Sequence, residues 1–171
     1  MGDLSLDHKD MNIIIREFHA DDTIEVAQII FDTYAKFNKN EFFDPSSSEA
    51  YMNHYNPKLN LEITLLATLT NTDYSYVAVT EFWDIAWIIR WDYGKIINLF
   101  VKWQYHRKGV GRLLLQEAEK ENQRNNTYKI KIYSSLYAVG FYQELWYRKT
   151  TGVRNSRWLK IIPMKKDLAK S

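Results

Sequence analysis

Residues 104–120 read QYHRKGVGRLLLQEAEK and contain two of the six glycines of the chain. Gly109 and Gly111 stand among basic side chains, directly before a run with helical spacing. The predicted buried face of this helix consists of Val110, Leu113, Leu114 and Ala118. The first turn of a helix leaves backbone N–H groups unpaired at the positive end of its dipole, and glycine lets an anion approach them. The stretch therefore predicts a phosphate loop, with an ordinary turn carrying solvated basic residues as the alternative.

Three short runs rich in β-branched and aromatic residues come before this loop. They are YSYVAVT (residues 74–80), IAWIIR (85–90) and KIINLFV (95–101), separated by short polar turns. This pattern predicts an antiparallel meander. Residues 96–101 are almost continuously apolar, so we expect a strand that is buried on both faces.

The remaining segments alternate between strand and helix patterns. MNIIIREF (11–18) predicts a first strand, and residues 19–37 a helix with Asp22 and Glu25 at an acidic cap. Further helices are expected within 44–55, 58–70 and 135–145, and further strands at YKIKIYS (128–134) and WLKIIPM (158–164), the last closed by Pro163. Residues 1–10 are polar and aperiodic, which predicts a disordered leader, with Met11 as an alternative translation start. We expect one domain over residues 11–168 in the α/β (α+β) class, with helices on both faces of a mixed sheet.

Composition excludes several classes of protein. A net charge of +2 argues against a dedicated nucleic-acid binder, and no apolar run is long enough for a membrane helix. The chain has no cysteine, which rules out disulfides, thiolate metal sites and a cysteine nucleophile. Its four histidines show no metal-binding spacing, so no metal is expected. The default compartment is the cytoplasm, and a monomer and a homodimer are both open.

The loop and the segments around it resemble the GNAT superfamily of N-acetyltransferases. LFVKWQYHRKGVGRLLLQEAE (99–119) resembles its acetyl-CoA signature, [QR]-x-x-G-x-[GA] between a strand and a helix. SSLYAVGFYQELWYRKT (134–150) is similar to its second signature, and RWLKIIPMKKDL (157–168) to its closing strand. The resemblance covers about residues 11–168 and implies a mostly antiparallel sheet with a splayed central strand.

The resemblance also implies a set of site residues. Strand residues 99–101 would pair with the pantetheine arm of acetyl-CoA, and the amides of residues 106–112 would hold its pyrophosphate. The implied cofactor-binding residues are Leu99, Phe100, Val101, His106, Arg107, Lys108, Gly109, Val110, Gly111, Arg112 and Ser135. In this resemblance, His106 stands where the family usually has Gln or Arg, and Ser135 stands where the family often has Asn. Tyr142 would be the catalytic acid for the leaving thiolate, or else a tyrosine that only packs its helix.

The implied reaction is direct transfer of an acetyl group to a primary amine on a small molecule or protein. The alternatives are an inactive acyl-CoA-binding sensor and an enzyme that uses a longer acyl-CoA. No general base is assigned, since Glu81 and Asp92 flank the hairpin as ordinary turn residues would. We expect the amine between the first helices and the sheet, at an acidic, aromatic rim of Tyr34, Glu41 and Asp44.

The six tryptophans are a second unusual feature. In the resemblance, Trp87, Trp146 and Trp158 fall where the family has glycine, and Trp83, Trp91 and Trp103 lie in turn-like polar surroundings. One hypothesis is that these positions are UGA codons that the source organism reads as glycine; the other is an ordinary tryptophan-rich chain. Real indoles at 87 and 146 are expected to crowd the acceptor and thioester region.

Overall fold

The computed structural model describes residues 12–156 and 158–169, so the predicted leader over residues 1–10 lies outside the described residues. Within them, eight strands form one sheet. The strands are β1 (Ile13–Glu17), β2 (Tyr74–Thr80), β3 (Ile85–Asp92), β4 (Lys95–Val101), β5 (Lys129–Ser135), β6 (Arg148–Lys149), β7 (Arg154–Ser156) and β8 (Leu159–Asp167). The α-helices are α1 (Thr23–Thr33), α2 (Pro45–Asn53), α3 (Glu62–Leu69), α4 (Val110–Arg124) and α5 (Val139–Glu144). The predicted α/β class is confirmed.

The sheet divides at its centre. Its order is β1-β2-β3-β4-β5-β8-β6, with β7 also paired to β8, and every pairing is antiparallel except β4 with β5. β4 and β5 are paired only at Lys95↔Lys131 and Ile96↔Ile132. Beyond Ile96 the two strands separate, as expected for a splayed central strand.

Two apolar clusters cover the two faces of the sheet. Helices α4 and α5 pack on one face, where Leu114, Ile130 and Tyr142 belong to the same buried cluster. Helices α1 and α3 pack on the other face with Ile30, Leu69 and Phe100. Burial of these side chains stabilises the packing of the helices on the sheet by roughly 25 cal/mol for each Å² of apolar surface removed from water. It fixes the sheet between two helical layers.

Two burial predictions are wrong. β4 is not buried on both faces: Ile96 and Phe100 are buried, whereas the strand's other residues are partly exposed because they border the gap beside β5. Leu113 is 46% exposed, and Leu115 takes its place against the sheet. The apolar part of the buried face of α4 therefore consists of Val110, Leu114, Leu115 and Ala118.

Two predicted boundaries are also wrong. Asp22 does not cap α1 with its side chain; both of its oxygens accept hydrogen bonds from Arg16, at 2.7 and 2.8 Å. Pro163 does not close the last strand, because β8 continues to Asp167. The carbonyl of Pro163 accepts a hydrogen bond from the amide of Thr150 at 2.9 Å, and Pro163 stays in register opposite Tyr133 of β5.

The tryptophans occupy three kinds of environment. Trp87 and Trp91 are buried in β3, so the turn-like setting predicted for Trp91 is wrong. Neither indole N–H has a hydrogen-bond partner among the described residues. Trp83 and Trp146 are exposed and have φ angles of 63° and 70°. Trp103 is exposed without positive φ, and Trp158 is also exposed.

Candidate functional site

A cleft of about 1680 Å³ opens where β4 and β5 separate. Its walls come from β4, β5, the loop before α4, and parts of α2, α3 and α5. The predicted cofactor-binding residues that line it are Leu99, Phe100, Val101, His106, Arg107, Gly109, Val110, Gly111, Arg112 and Ser135, and Tyr142 lines it too. Lys108 does not; its Nζ lies 5.7 Å from the ring centroid of Tyr105. The structure thus brings together residues that are up to 43 positions apart (Leu99 and Tyr142).

The loop before α4 presents unpaired amides to this cleft. Gly109 is the N-cap residue, and no described side chain caps the helix, so the amides of Val110, Gly111 and Arg112 lack intrahelical partners. Gly109 has a φ of 75° and Arg107 a φ of 60°, both in the left-handed region. Alternation of this kind turns successive N–H groups toward one side, which is the geometry of an anion-binding nest.

The two glycines of the loop serve different purposes. A Cβ at Gly109 would meet nothing within 4 Å, so glycine is favoured there by its backbone angle. A Cβ at Gly111 would lie 3.3 Å from Cζ of Phe141 and 3.6 Å from Cγ2 of Val101. Glycine at 111 therefore allows α4 to approach α5 and β4, a packing role beyond the open approach for phosphate that the sequence suggested.

His106 is held inside the loop by aromatic packing. Its ring stacks on Phe37 with centroids 4.8 Å apart, and its Nδ1 lies 3.4 Å from the hydroxyl of Tyr137. Its Nε2 lies 2.9 Å from the carbonyl oxygen of Val101, which fits an Nε2–H donor. His106 thus covers the last carbonyl of β4 at the mouth of the cleft.

Tyr142 lies in the wall of the cleft on α5. It is 4% exposed, and burial raises the pKa of its hydroxyl well above the usual value. Among the described residues the hydroxyl has no hydrogen-bond partner. It is therefore neutral at physiological pH and able to donate its proton into the cleft.

The predicted acidic rim does not form. Glu41 is buried and accepts hydrogen bonds from the amides of Leu136, at 3.1 Å, and Tyr137, at 2.7 Å. Asp44 caps α2, and hydrogen bonds from the serines at 46 and 47 lower its pKa to about 2. Only Tyr34 of the three lines the cleft. Glu41 instead fixes the β5–α5 loop and so the position of α5, together with Ser135, whose Oγ lies 3.3 Å from the amide of Ala138.

The carboxylates considered as general bases also lie elsewhere. Glu81 is exposed in the β2–β3 turn, and Asp92 accepts a hydrogen bond from the amide of Asp73 at 3.1 Å. Among the described residues, Glu144 is the one carboxylate that lines the cleft, against the cations Arg90, Lys95, Arg107 and Arg112. The cleft is therefore electropositive, because its described lining has more of these cations than carboxylates.

The described residues hold no group of three or more His, Asp or Glu side chains arranged for a metal ion.

Sequence reasoning missed two charged groups. Lys102 pairs with Glu25 at 2.6 Å and with Asp84 at 2.5 Å, and Asp84 also accepts from the Tyr105 hydroxyl at 2.8 Å. These bonds tie the end of β4 to α1 and to the β2–β3 turn. The second group is Arg90, which is 4% exposed in β3. Its position within the apolar run IAWIIRW was the signal that could have found it.

Residues 66–168, more than half of the chain, match the acetyltransferase (GNAT) domain family. The chain belongs to the GNAT acetyltransferase family. The family match begins in α3 and contains the meander, the loop before α4, α4 itself and α5. It is therefore the matched part that carries both the loop amides and Tyr142.

Solved structures share the GNAT fold with this chain at low sequence identity. A GCN5-related N-acetyltransferase from Rhodopseudomonas palustris is 18% identical, with a TM-score of 0.75 over 95% of this chain and 100% of that one. The PaiA N-acetyltransferase from Thermoplasma acidophilum, in complex with coenzyme A, is 17% identical with a TM-score of 0.62, over 92% and 99%. An N-acetyltransferase from Staphylococcus aureus is 14% identical with a TM-score of 0.65, over 92% and 99%. No curated protein sequence matches this chain.

Membership of the GNAT family makes this chain an acyl-transferring enzyme. The cleft between β4 and β5 is its candidate active site, because it joins the unpaired amides to the buried phenol. In the described residues no helix combines the length and apolarity needed to span a bilayer.

Proposed function

We propose that the protein transfers an acetyl group from acetyl-CoA directly to a primary amine. The observation that carries this proposal is one continuous cleft with unpaired helix-terminal amides at one end and the Tyr142 hydroxyl in its wall. The coenzyme A in the T. acidophilum neighbour supports the same class of donor.

The residues at the loop fit the pyrophosphate of coenzyme A. The amides of residues 110–112 point outward from the start of α4, where the helix dipole favours an anion. Arg107 and Arg112 are exposed at the cleft and make no ion pair within the described residues. Each is free to add charge-assisted hydrogen bonds to phosphate oxygens.

The edge of β4 fits the pantetheine arm. Beyond Ile96 this edge has no partner strand, so its backbone groups are available for strand-like pairing. His106 already bonds the carbonyl of Val101, which limits the open edge to the residues before it. Leu99 is therefore the central pairing residue in this proposal.

Bound acetyl-CoA supplies the thioester whose acyl carbon accepts the amine. The amine nitrogen forms the new C–N bond and loses one proton to solvent, while the C–S bond breaks. Tyr142 donates its proton to the leaving sulfur and regains one afterwards. General acid help of this kind is typically worth ~10²–10⁴ in rate. The chain contains no cysteine to carry an acyl group, which supports direct transfer.

The test is release of free coenzyme A from acetyl-CoA with a panel of primary amines, using wild-type protein and Tyr142→Phe. We expect kcat to fall by about 10²-fold in Tyr142→Phe with little change in the KM for acetyl-CoA. Tyr76→Phe is the matched control, because Tyr76 lies in β2 outside the cleft. Equal activity in all three proteins would overturn the role of Tyr142.

The alternatives give different results in the same assay. Binding of acetyl-CoA without turnover of any amine would favour the inactive sensor, since Glu144 is the one described carboxylate in the cleft lining and no general base is assigned. Faster turnover with a longer acyl-CoA than with acetyl-CoA would indicate that the enzyme naturally transfers the longer acyl group. Absence of binding to any acyl-CoA would refute the proposed donor.

A further inference from the structure

Arg90 is a buried cation without an anionic partner. One of its terminal nitrogens donates to Oδ1 of Asn98 at 3.0 Å, and the other to the carbonyl of Thr68 at 2.8 Å. Its Nε is buried without a hydrogen bond, and Arg90 makes no ion pair within the described part of the chain. Two of its five N–H groups are therefore used, both by neutral acceptors.

A buried guanidinium in this state is costly unless something compensates it. Burial lowers the pKa of Arg90, and the neighbouring Tyr55 opposes that shift. Burial likewise raises the pKa of Tyr55 to about 12, so Tyr55 stays neutral and does not supply the missing negative charge. The charge of Asp92 also raises the pKa of Arg90, but Asp92 forms no salt bridge with it, so no described residue pairs directly with the guanidinium.

Arg90 faces the part of the cleft that the coenzyme site leaves free. It lines the cleft with Asn98, which lies two residues beyond Ile96, where β4 and β5 part. Across from it, α2 contributes Tyr51 and the segment after α2 contributes Tyr55, with ring centroids 5.9 Å apart. The loop before α4 contributes its own arginines, Arg107 and Arg112, to the same cleft.

We propose that Arg90 binds a carboxylate of the acceptor, so that the substrate is an amine that also carries a carboxylate, of the amino-acid class. This proposal rests on the amine transfer proposed above. A carboxylate is planar and matches the guanidinium fork, and its negative charge would pair with a buried guanidinium that no described residue pairs with. The hydroxyls of Tyr51 and Tyr55 line the cleft with Arg90 and can donate hydrogen bonds to such a carboxylate, whereas Asp92, whose charge reaches Arg90, lies outside the cleft lining.

The test compares standard amino acids with their carboxamides as acceptors. We expect wild-type protein to use the free carboxylates about 10- to 100-fold better in kcat/KM, the usual range for a hydrogen bond to a charged group. Arg90→Gln should bring the ratio of kcat/KM for free acid to kcat/KM for carboxamide close to 1. Arg90→Lys should keep part of the preference, because the charge remains and the fork is lost. Arg148→Gln is the matched control on exposed β6, outside the cleft.

Binding measurements separate failure of this proposal from failure of the proposed function. Calorimetry with the same acceptor pairs, on protein saturated with coenzyme A, needs no turnover. Tighter binding of the free acid to wild-type protein than to Arg90→Gln supports the proposal even if no amine is acetylated. Equal binding or equal turnover of acid and carboxamide by folded wild-type protein refutes it. Should Arg90→Gln not fold, as judged by circular dichroism, Tyr55→Phe is expected to reduce the preference, and an unchanged preference there would count against the site.

A separate observation concerns the backbone at Trp146. The amide of Trp146 donates to the carbonyl of Gln143 at 3.1 Å, and that of Tyr147 to the carbonyl of Tyr142 at 3.0 Å. These two bonds, with contact between the rings of Tyr142 and Tyr147, define a Schellman motif at the end of α5. Trp146 occupies its left-handed position, where glycine is the usual residue.

Trp83 is in an equivalent position at a hairpin. Its amide donates to the carbonyl of Thr80 at 2.9 Å, and the amide of Thr80 donates to the carbonyl of Asp84 at 3.0 Å. This is a three-residue β2–β3 loop whose last residue is left-handed, again a glycine position. Both indoles are mostly exposed, so packing does not explain the tryptophans.

We infer that residues 83 and 146 are glycine in the natural protein, encoded by UGA codons that its source reads as glycine. The codons and the peptide masses of protein from the source organism test this directly. UGA codons with glycine masses at both positions support the inference. A UGG codon, or a tryptophan mass, at either position refutes it there.

Discussion

Replacing Trp146 by glycine and by alanine isolates the energetic demand of its backbone. Both substitutions remove the same indole, which is 78% exposed, so their difference reports on the Cβ alone. A Cβ in the left-handed region costs about 1–2 kcal/mol. Glycine also makes the unfolded chain more flexible, which lowers the stability of the glycine variant by about 0.4–1 kcal/mol relative to alanine. We therefore expect Trp146→Gly to be more stable than Trp146→Ala by about 0.5–1 kcal/mol.

An exposed position inside α4 is the control for this prediction. At Gln116 the backbone is helical, so glycine should be less stable than alanine by about 0.8–1 kcal/mol. Urea unfolding of the four variants measures both differences, and thermal midpoints should shift by roughly 2–4 °C per kcal/mol. If alanine is as stable as glycine at 146, or more stable, the left-handed demand assigned to this residue is incorrect.

Two further predictions concern charged groups around the cleft. Burial alone would raise the pKa of Asp84, but its bond to Lys102 holds that pKa below the usual value, so Asp84 stabilises the fold above about pH 4 and less as pH falls. Asp84→Asn should flatten the loss of stability toward acid, measured as urea midpoints from about pH 6 to about pH 3; an unchanged slope would contradict this. Glu41→Gln should lower the free energy of unfolding by about 1.5–3 kcal/mol and should also lower kcat. Each of the two carboxylate oxygens of Glu41 accepts a hydrogen bond from the β5–α5 loop, whereas a glutamine side chain has only one acceptor oxygen. Glu49→Gln on exposed α2 should change neither quantity, and equal effects of the two would exclude the positioning role of Glu41.

The meander and the glycine-containing loop before α4 were predictable because their signals are local. Strands β2, β3 and β4 were predicted close to their observed bounds, since β-branched runs between polar turns need no distant partner to be identified. The loop was predictable for the same reason, because Gly109 and the helix start are adjacent in sequence. The β4–β5 gap came from the family resemblance and not from periodicity.

The partners of charged side chains were not predictable in the same way. Glu41 was expected in an acidic rim, but it binds amides 95 and 96 residues further along the chain. Lys102 meets Glu25 across 77 positions. No spacing rule links such residues, because their contacts exist only after the helices have packed on the sheet.

The sequence by itself determined the order of the longer strands and helices, the position of the glycines before α4 and the absence of any cysteine for an acyl intermediate. Only the tertiary structure decided which side chains face the cleft. The folded structure places Tyr142 and Arg90 in the lining of the cleft, whereas Glu41 and Asp44 lie outside that lining. Arg90 makes no ion pair there within the described residues. The physical reason is that backbone preference depends on neighbours in sequence, whereas burial, pairing and pKa depend on neighbours in space.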